Sequence, residues 1–189
     1  MRFSFVGVIG ALACLLVFQI SAAQSPGPYH KLTAEEFYGI PEISNNDVVA
    51  HTNCFIDFQY RAQSDRNGAY HLTSDIKLVF NNRKSWIDRK QVLSPAHLEQ
   101  ILNHEQGHYT LAYLEQQELI RTVNKTRFDA NYDHEAASLF DRVHEKYRQL
   151  SLDYDDDTDH MRNHQQQHSW DEYFKRQLAY KQPGDIAWR

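Results

Sequence analysis

The strongest constraint in this 189-residue chain is one long helical pattern at its centre. Ser94-Pro95 opens it as an N-cap followed by proline at the first helical position, where a missing N–H costs nothing. Leu98, Ile101, Leu102, Leu111, Leu114 and Leu119 then recur on one face as far as about Thr122. What flanks this helix decides the fold class.

Before it, the apolar period is two. Residues 48–61 alternate with Cys54, Ile56, Phe58 and Tyr60 on one face, and Arg66-Asn67-Gly68 is a hairpin signal. A second strand over 70–80 spaces Leu72, Ile76, Leu78 and Phe80 in twos, and Asn81-Asn82 ends it. Ser85-Trp86-Ile87 reads as a short strand or an anchored turn. After the central helix the period returns to 3.6. A second helix starts near Asp133 and carries Leu139, Phe140, Val143, Tyr147 and Leu150. The acidic run Asp153-Tyr-Asp-Asp-Asp-Thr-Asp159 reads as a solvated linker, and a last helix over 163–180 carries Trp170, Tyr173, Phe174 and Leu178. Sheet first and helices after predicts an α+β domain: an N-terminal antiparallel sheet, a motif-bearing helix and C-terminal helices.

The first residues do not belong to that pattern. Arg2, the apolar stretch 5–20 and Ser21-Ala22-Ala23 match a secretory signal peptide over residues 1–23, with cleavage after Ala23. The apolar run is too short for a comfortable membrane span, so no stable membrane anchor is expected, and 24–189 form one secreted or periplasmic domain. Removing Cys14 with the signal leaves Cys54 alone, which excludes an intramolecular disulfide; its apolar neighbours suggest an inert thiol. The formal net charge of −5, with no basic stripe, argues against nucleic acid as a partner.

The chemistry sits on the central helix. His104-Glu105-Gln-Gly-His108 places two imidazoles four residues apart, on one face and one turn from each other. This is the His-Glu-x-x-His arrangement of zinc hydrolases: both imidazoles bind Zn²⁺, and the carboxylate takes a proton from the water the metal activates. The motif is expected by chance roughly 0.03 times in a chain of this composition, against about 0.6 for a bare His-x-x-x-His pair. The bare pair recurs at His160/His164 and His164/His168, which read as surface residues. Glu105 is therefore the candidate general base, and His104 and His108 are the candidate ligands. Leu111 and Leu114 occupy the positions of the glycine and third histidine of the extended motif, so a third ligand must come from farther along. A carboxylate of the next helix, Glu135 or Asp141, and a histidine, His134 or His160, are the options. Asp129 and Asp133 read as caps, and Asp155 or Asp157 as carboxylates that could orient His160. Tyr154, Tyr109 and His134 are candidates to stabilise an oxyanion.

Several stretches together resemble one bacterial family. They are Leu32-Thr33 with Phe37-x-Gly39-x-Pro41, Lys84-Ser85-Trp86, Leu102-x-His-Glu-Gln-Gly-His-Tyr109, and Tyr154-Asp155-x-x-Thr158-x-His160 followed by Trp170. The family is that of predicted secreted zinc-dependent proteases, and the likeness runs from about residue 31 to 180. The chain departs from it at Tyr109, where phenylalanine is usual, and in a denser acidic run before His160. The resemblance implies a zincin-like fold, a Zn²⁺ cofactor, a histidine ligand at His160 and a peptide or protein substrate; Glu135, on the next helix, is the runner-up as third ligand. An exported zinc-binding or partner-binding module that keeps the metal for stability, with four protein ligands, is the alternative.

Overall fold

A computed structural model describes residues 27–42 and 48–180. The expected signal peptide, residues 1–23, lies outside them. Helix α1, Pro95–Lys125, is 31 residues long and spans about 46 Å at 1.5 Å per residue. Its start is the one read from sequence: Ser94 is extended, and its hydroxyl accepts from the His97 N–H at 3.1 Å, satisfying one of the orphan amides of the first turn.

Two strands, β2 (Cys54–Ser64) and β3 (Tyr70–Phe80), form an antiparallel hairpin in continuous register from Cys54↔Phe80 to Ser64↔Tyr70. Gly68 takes φ +80° in its turn, a backbone state that favours glycine, while Asp65 Oδ1 accepts from the Asn67 and Ala69 amides. The strand expected over 48–61 is split. β1 (Ala50–His51) pairs not with the hairpin but with β4 (Trp86–Ile87). The break falls at Asn53, whose N–H donates to the buried Ser85 hydroxyl and whose carbonyl accepts from Asn81. Side-chain hydrogen bonding there replaces the ladder and sends the two segments to different partners.

Helix α2, Tyr132–Thr158, corrects the acidic linker: residues 153–158 are its last turns. Aspartates are poor helix formers and unfavourable near a helix C-terminus, which is why the run reads as a breaker. Packing overrides both effects, because Tyr154 and Thr158 are wholly buried and extend the stripe of Leu139, Val143 and Tyr147 in further steps of seven and four. Asp133 and Glu135 occupy the first turn of α2, and Asn131 is its N-cap. Helix α3, His164–Ala179, closes the structure, with Trp170 Nε1 donating to Asp157 Oδ2 at 3.0 Å. The molecule is thus α+β, an antiparallel sheet followed by three helices. Among the described residues, no helix is long and apolar enough to cross a membrane.

Two apolar clusters meet along α1. The larger joins Leu72 and Ile76 of the hairpin to Leu111, Leu114 and Leu119 of α1, Leu139 and Val143 of α2, and Phe174 of α3. The smaller gathers Leu32, Phe37, Ala50 and Ile87 around Ile101 and Tyr109. His104, Glu105 and His108 fall between Ile101 and Leu111, where the clusters adjoin. Gly107 is what lets α2 approach there: a Cβ on it would lie 2.5 Å from Tyr154 Cζ.

Candidate metal centre

His104 and His108 stand one turn apart with ring centroids 5.0 Å from each other. Both turn Nε2 toward one atom of the last turns of α2, Asp155 Oδ1, at 3.2 Å and 3.0 Å. The edge of a tetrahedron drawn around zinc with ligand bonds of 2.0–2.1 Å is about 3.3 Å. Each imidazole therefore stands at ligand spacing from Asp155 Oδ1, and the three donor atoms all lie within 4.8 Å of one another. Two imidazoles and a carboxylate are also a donor set that suits zinc.

The far side of each ring is held. Gln167 Oε1 faces His104 Nδ1 at 3.2 Å, and Ser151 Oγ faces His108 Nδ1 at 3.0 Å. The Gln167 amide is itself oriented, because its Nε2 donates to Asp171 Oδ1 at 2.9 Å and only the NH₂ end can serve a carboxylate. Its oxygen must then face His104, which places the ring hydrogen on Nδ1 and leaves the Nε2 lone pair for a metal. Asn103 Nδ2 anchors Asp171 from α1 at 3.0 Å. Tyr154 stacks on His104 with centroids 4.7 Å apart and donates to the His104 carbonyl at 3.1 Å.

Charge at the centre points the same way. Burial alone would raise Asp155 and lower His108, but the contacts between them win. Hydrogen bonds from His104 and His108 hold the Asp155 carboxyl far below the usual carboxylate range. The Asp155 hydrogen bond and charge, with the Glu105 charge, push His108 above its ordinary value. Without a metal, the proton that this favours on His108 supplies positive charge where a cation would sit.

Glu105 supplies the clearest sign of an absent partner. It is 3% exposed, and its Oε2 is buried without a hydrogen-bond partner. A buried carboxylate oxygen left unpaired costs free energy, and a water on an ion held by the neighbouring triad would satisfy it. Glu105 and the triad line one cavity of about 220 Å³, walled on the other side by residues 48–52 that include β1.

His160 borders the same cavity with its side chain 44% exposed, and its Nδ1 lies 3.5 Å from Asp155 Oδ1. It sits in a run of three non-glycine residues with positive φ, Asp159 (45°), His160 (48°) and Met161 (75°), a strained turn of the kind that persists where its surroundings fix it. Asp155, rather than Asp157, is the carboxylate beside His160. Glu135 is elsewhere: it lies 20 residues before Asp155 on α2, about 30 Å along the axis, and accepts from the Asp129 amide at 3.0 Å. His134 lies beside it, and Asp141 lines a separate groove with Phe140. Tyr154 and Tyr109 are buried and border no part of the central cavity. His164 and His168 are exposed, as expected. Cys54 is the inert thiol of the sequence reading, its pKa pushed up to about 12 by burial and the Glu105 charge.

Sequence reasoning missed Asp155 as a candidate ligand and Gln167 as the acceptor behind His104. Asp155 follows once α2 is continued through the acidic run, because Ser151 and Asp155 then share one face four residues apart.

The chain belongs to a bacterial protein family of unknown function (DUF922), whose profile matches residues 38–165. No curated protein and no solved structure matches it.

Proposed function

We propose that this member of the family is an exported, zincin-like zinc hydrolase that cuts peptide bonds. The observation that carries the reading is the unpartnered Glu105 Oε2 beside the His104, His108 and Asp155 donors in a cavity open to solvent. When bound there, zinc supplies Lewis acidity toward a carbonyl oxygen and lowers the pKa of a water into the neutral range. Glu105 Oε2 would be the base for a water activated there, accepting its proton as the carbonyl carbon is attacked and returning it to the amide nitrogen as the C–N bond breaks. His104 and His108 hold position through Gln167 and Ser151, so the base and the donors need no rearrangement at the moment of reaction. The signal-like pattern of residues 1–23 supports export, and the likeness to secreted zinc-dependent proteases supports a peptide or protein substrate.

The test is zinc stoichiometry and casein cleavage on the chain lacking residues 1–23, beside Glu105→Gln. One zinc per chain in both proteins, with cleavage only in the first and reduced roughly 10²–10⁴-fold in the variant, is the expected result. Zinc-loaded chain that cleaves nothing refutes the enzyme.

One observation favours a second reading, a closed structural zinc site. His160 Nδ1, 3.5 Å from Asp155 Oδ1, stands where a small movement would make it a fourth ligand. Cobalt substitution separates the two: absorption bands insensitive to added thiocyanate or hydroxamate mark a closed site, and bands that shift mark an open one. In the closed case His160→Ala opens the site, whereas in the open case it leaves the bands in place.

A further inference from the structure

The central cavity does not end at His108. Thr52, His108 and Ser151 also line a second cavity, of about 190 Å³, so the two adjoin across a shared wall between α1, α2 and the start of β2. The far cavity is lined by Cys54, Leu111 and Ala112 and reaches Glu115, with His144 and Tyr147 on the α2 side. Glu115 is only 6% exposed, and its Oε1 is 2.8 Å from His144 Nδ1. A carboxylate buried this deeply is costly unless it is paired, and among the described residues its partner is a single, half-exposed imidazole on one of its two oxygens. Its position beside the metal centre points to recognition.

We infer that this cavity is a side-chain subsite next to the reacting bond and that it selects a lysine or arginine of the substrate through Glu115. The inference rests on the peptidase reading above and deepens it.

Length fits first. Glu115 lies seven residues beyond His108 on the same face of α1, about 10 Å along the axis. A substrate backbone held at the metal and a lysine or arginine side chain of about 6–7 Å reach together across that distance, whereas a leucine stops short. Surface chemistry fits next. The stem of a long basic side chain packs on apolar walls such as Leu111 and Ala112 while its head seeks an anion. Charge fits last. Arg148, the other strong cation on the lining, is spent on Glu145 through two bonds of 2.7 Å, so it neither neutralises Glu115 nor offers a free site to an acidic side chain. His144 holds Glu115 Oε1 from a mostly exposed position on α2, so an incoming cation meets a carboxylate that is already oriented.

The experiment compares peptides that differ at one position, lysine against norleucine, with wild-type chain and Glu115→Gln. The amide is isosteric and keeps an oxygen toward His144, and equal melting temperatures confirm the fold. Wild type is expected to prefer lysine by on the order of tenfold or more in kcat/KM, and Glu115→Gln to bring that ratio near unity. An unchanged ratio in Glu115→Gln, or a wild-type preference for norleucine or glutamate, overturns the subsite. A second readout needs no turnover. In ¹H–¹⁵N spectra of Glu105→Gln, the lysine peptide should shift the Leu111, Ala112 and Glu115 amides, and the norleucine peptide should not. Shifts without cleavage in wild type would sink the enzyme reading and keep the subsite, and cleavage without these shifts would do the reverse.

Discussion

The metal centre can be tested at a residue that never touches the metal. Gln167→Leu keeps the volume of a side chain that is 7% exposed and removes the acceptor 3.2 Å from His104 Nδ1. With zinc bound, Nε2 must offer its lone pair, so the ring hydrogen is confined to Nδ1 and is buried without a partner. That costs about 1–3 kcal/mol. In the metal-free chain the hydrogen can move to Nε2, where Asp155 Oδ1 accepts it at 3.2 Å, so the penalty is largely avoided. The difference falls on metal affinity. Supports of this kind are typically worth 10–100-fold in affinity, or about 1.4–2.7 kcal/mol. Competition with a chromophoric chelator measures the zinc Kd directly, and the rise in melting temperature on adding zinc should shrink in step. Gln167→Glu keeps an acceptor toward Nδ1 and should recover most of the affinity, although it sets a second carboxylate against Asp171. A Gln167→Leu chain that folds and binds zinc within twofold of wild type would refute the assignment of His104 as a ligand through Nε2.

Two further outcomes follow from the same centre. Gly107→Ala drives a methyl into the Tyr154 phenol at the closest approach of α1 and α2, and should cost about 3 kcal/mol in urea unfolding; a loss below 1 kcal/mol would mean the helices do not meet there. The metal-free chain should also lose stability as pH rises. His108 is raised in the folded state, so its contribution is complete below the unfolded imidazole value of about 6.5 and fades as pH climbs through the folded one. Asp155 is lowered, so its contribution is present above about 3.9 and fades only as pH falls through its folded value. Melting temperature without metal should therefore drop as pH rises above about 6.5, while the gain on adding zinc grows because zinc needs neutral imidazoles. A downward slope that survives in Asp155→Asn would place its origin elsewhere.

Sequence and structure agree where a local signal dominates. The Ser94-Pro95 cap, the hairpin around Gly68 and the facing imidazoles of α1 are each decided within a few residues, and each is where the pattern put it. They part where a distant partner decides. Asn53 leaves a strand pattern because Ser85 and Asn81 take its backbone groups, and residues 153–158 stay helical because Tyr154 and Thr158 are buried beneath charges that argue for a breaker. The missing corner of the metal centre is a consequence of that second case. Glu135 and Asp141 lie on the first half of that helix, whereas the carboxylate beside the imidazoles falls in the run that reads as a linker, where the pattern offers His160 as the ligand and Asp155 only as a group to orient it.

The register of α1 against α2 was nonetheless within reach. His104 faces Asp155, His108 faces Ser151 and Glu115 faces His144, so steps of four and seven along α1 are matched by equal steps backward along α2. Antiparallel helices that stay packed over this length must keep such a correspondence, because 3.6 residues per turn brings the same faces together at intervals of four and seven. One pair outside the metal centre is then enough to set the rest. Once Glu115 is paired with His144 and α2 is allowed to continue, Ser151 and Asp155 arrive opposite the two imidazoles without any reference to zinc. The same correspondence sets the metal cavity beside the Glu115 cavity, since His108 and Ser151 line both. The candidate ligand set and the proposed substrate-selecting charge thereby depend on a single helix register, and a substitution that slipped it would have to displace both together.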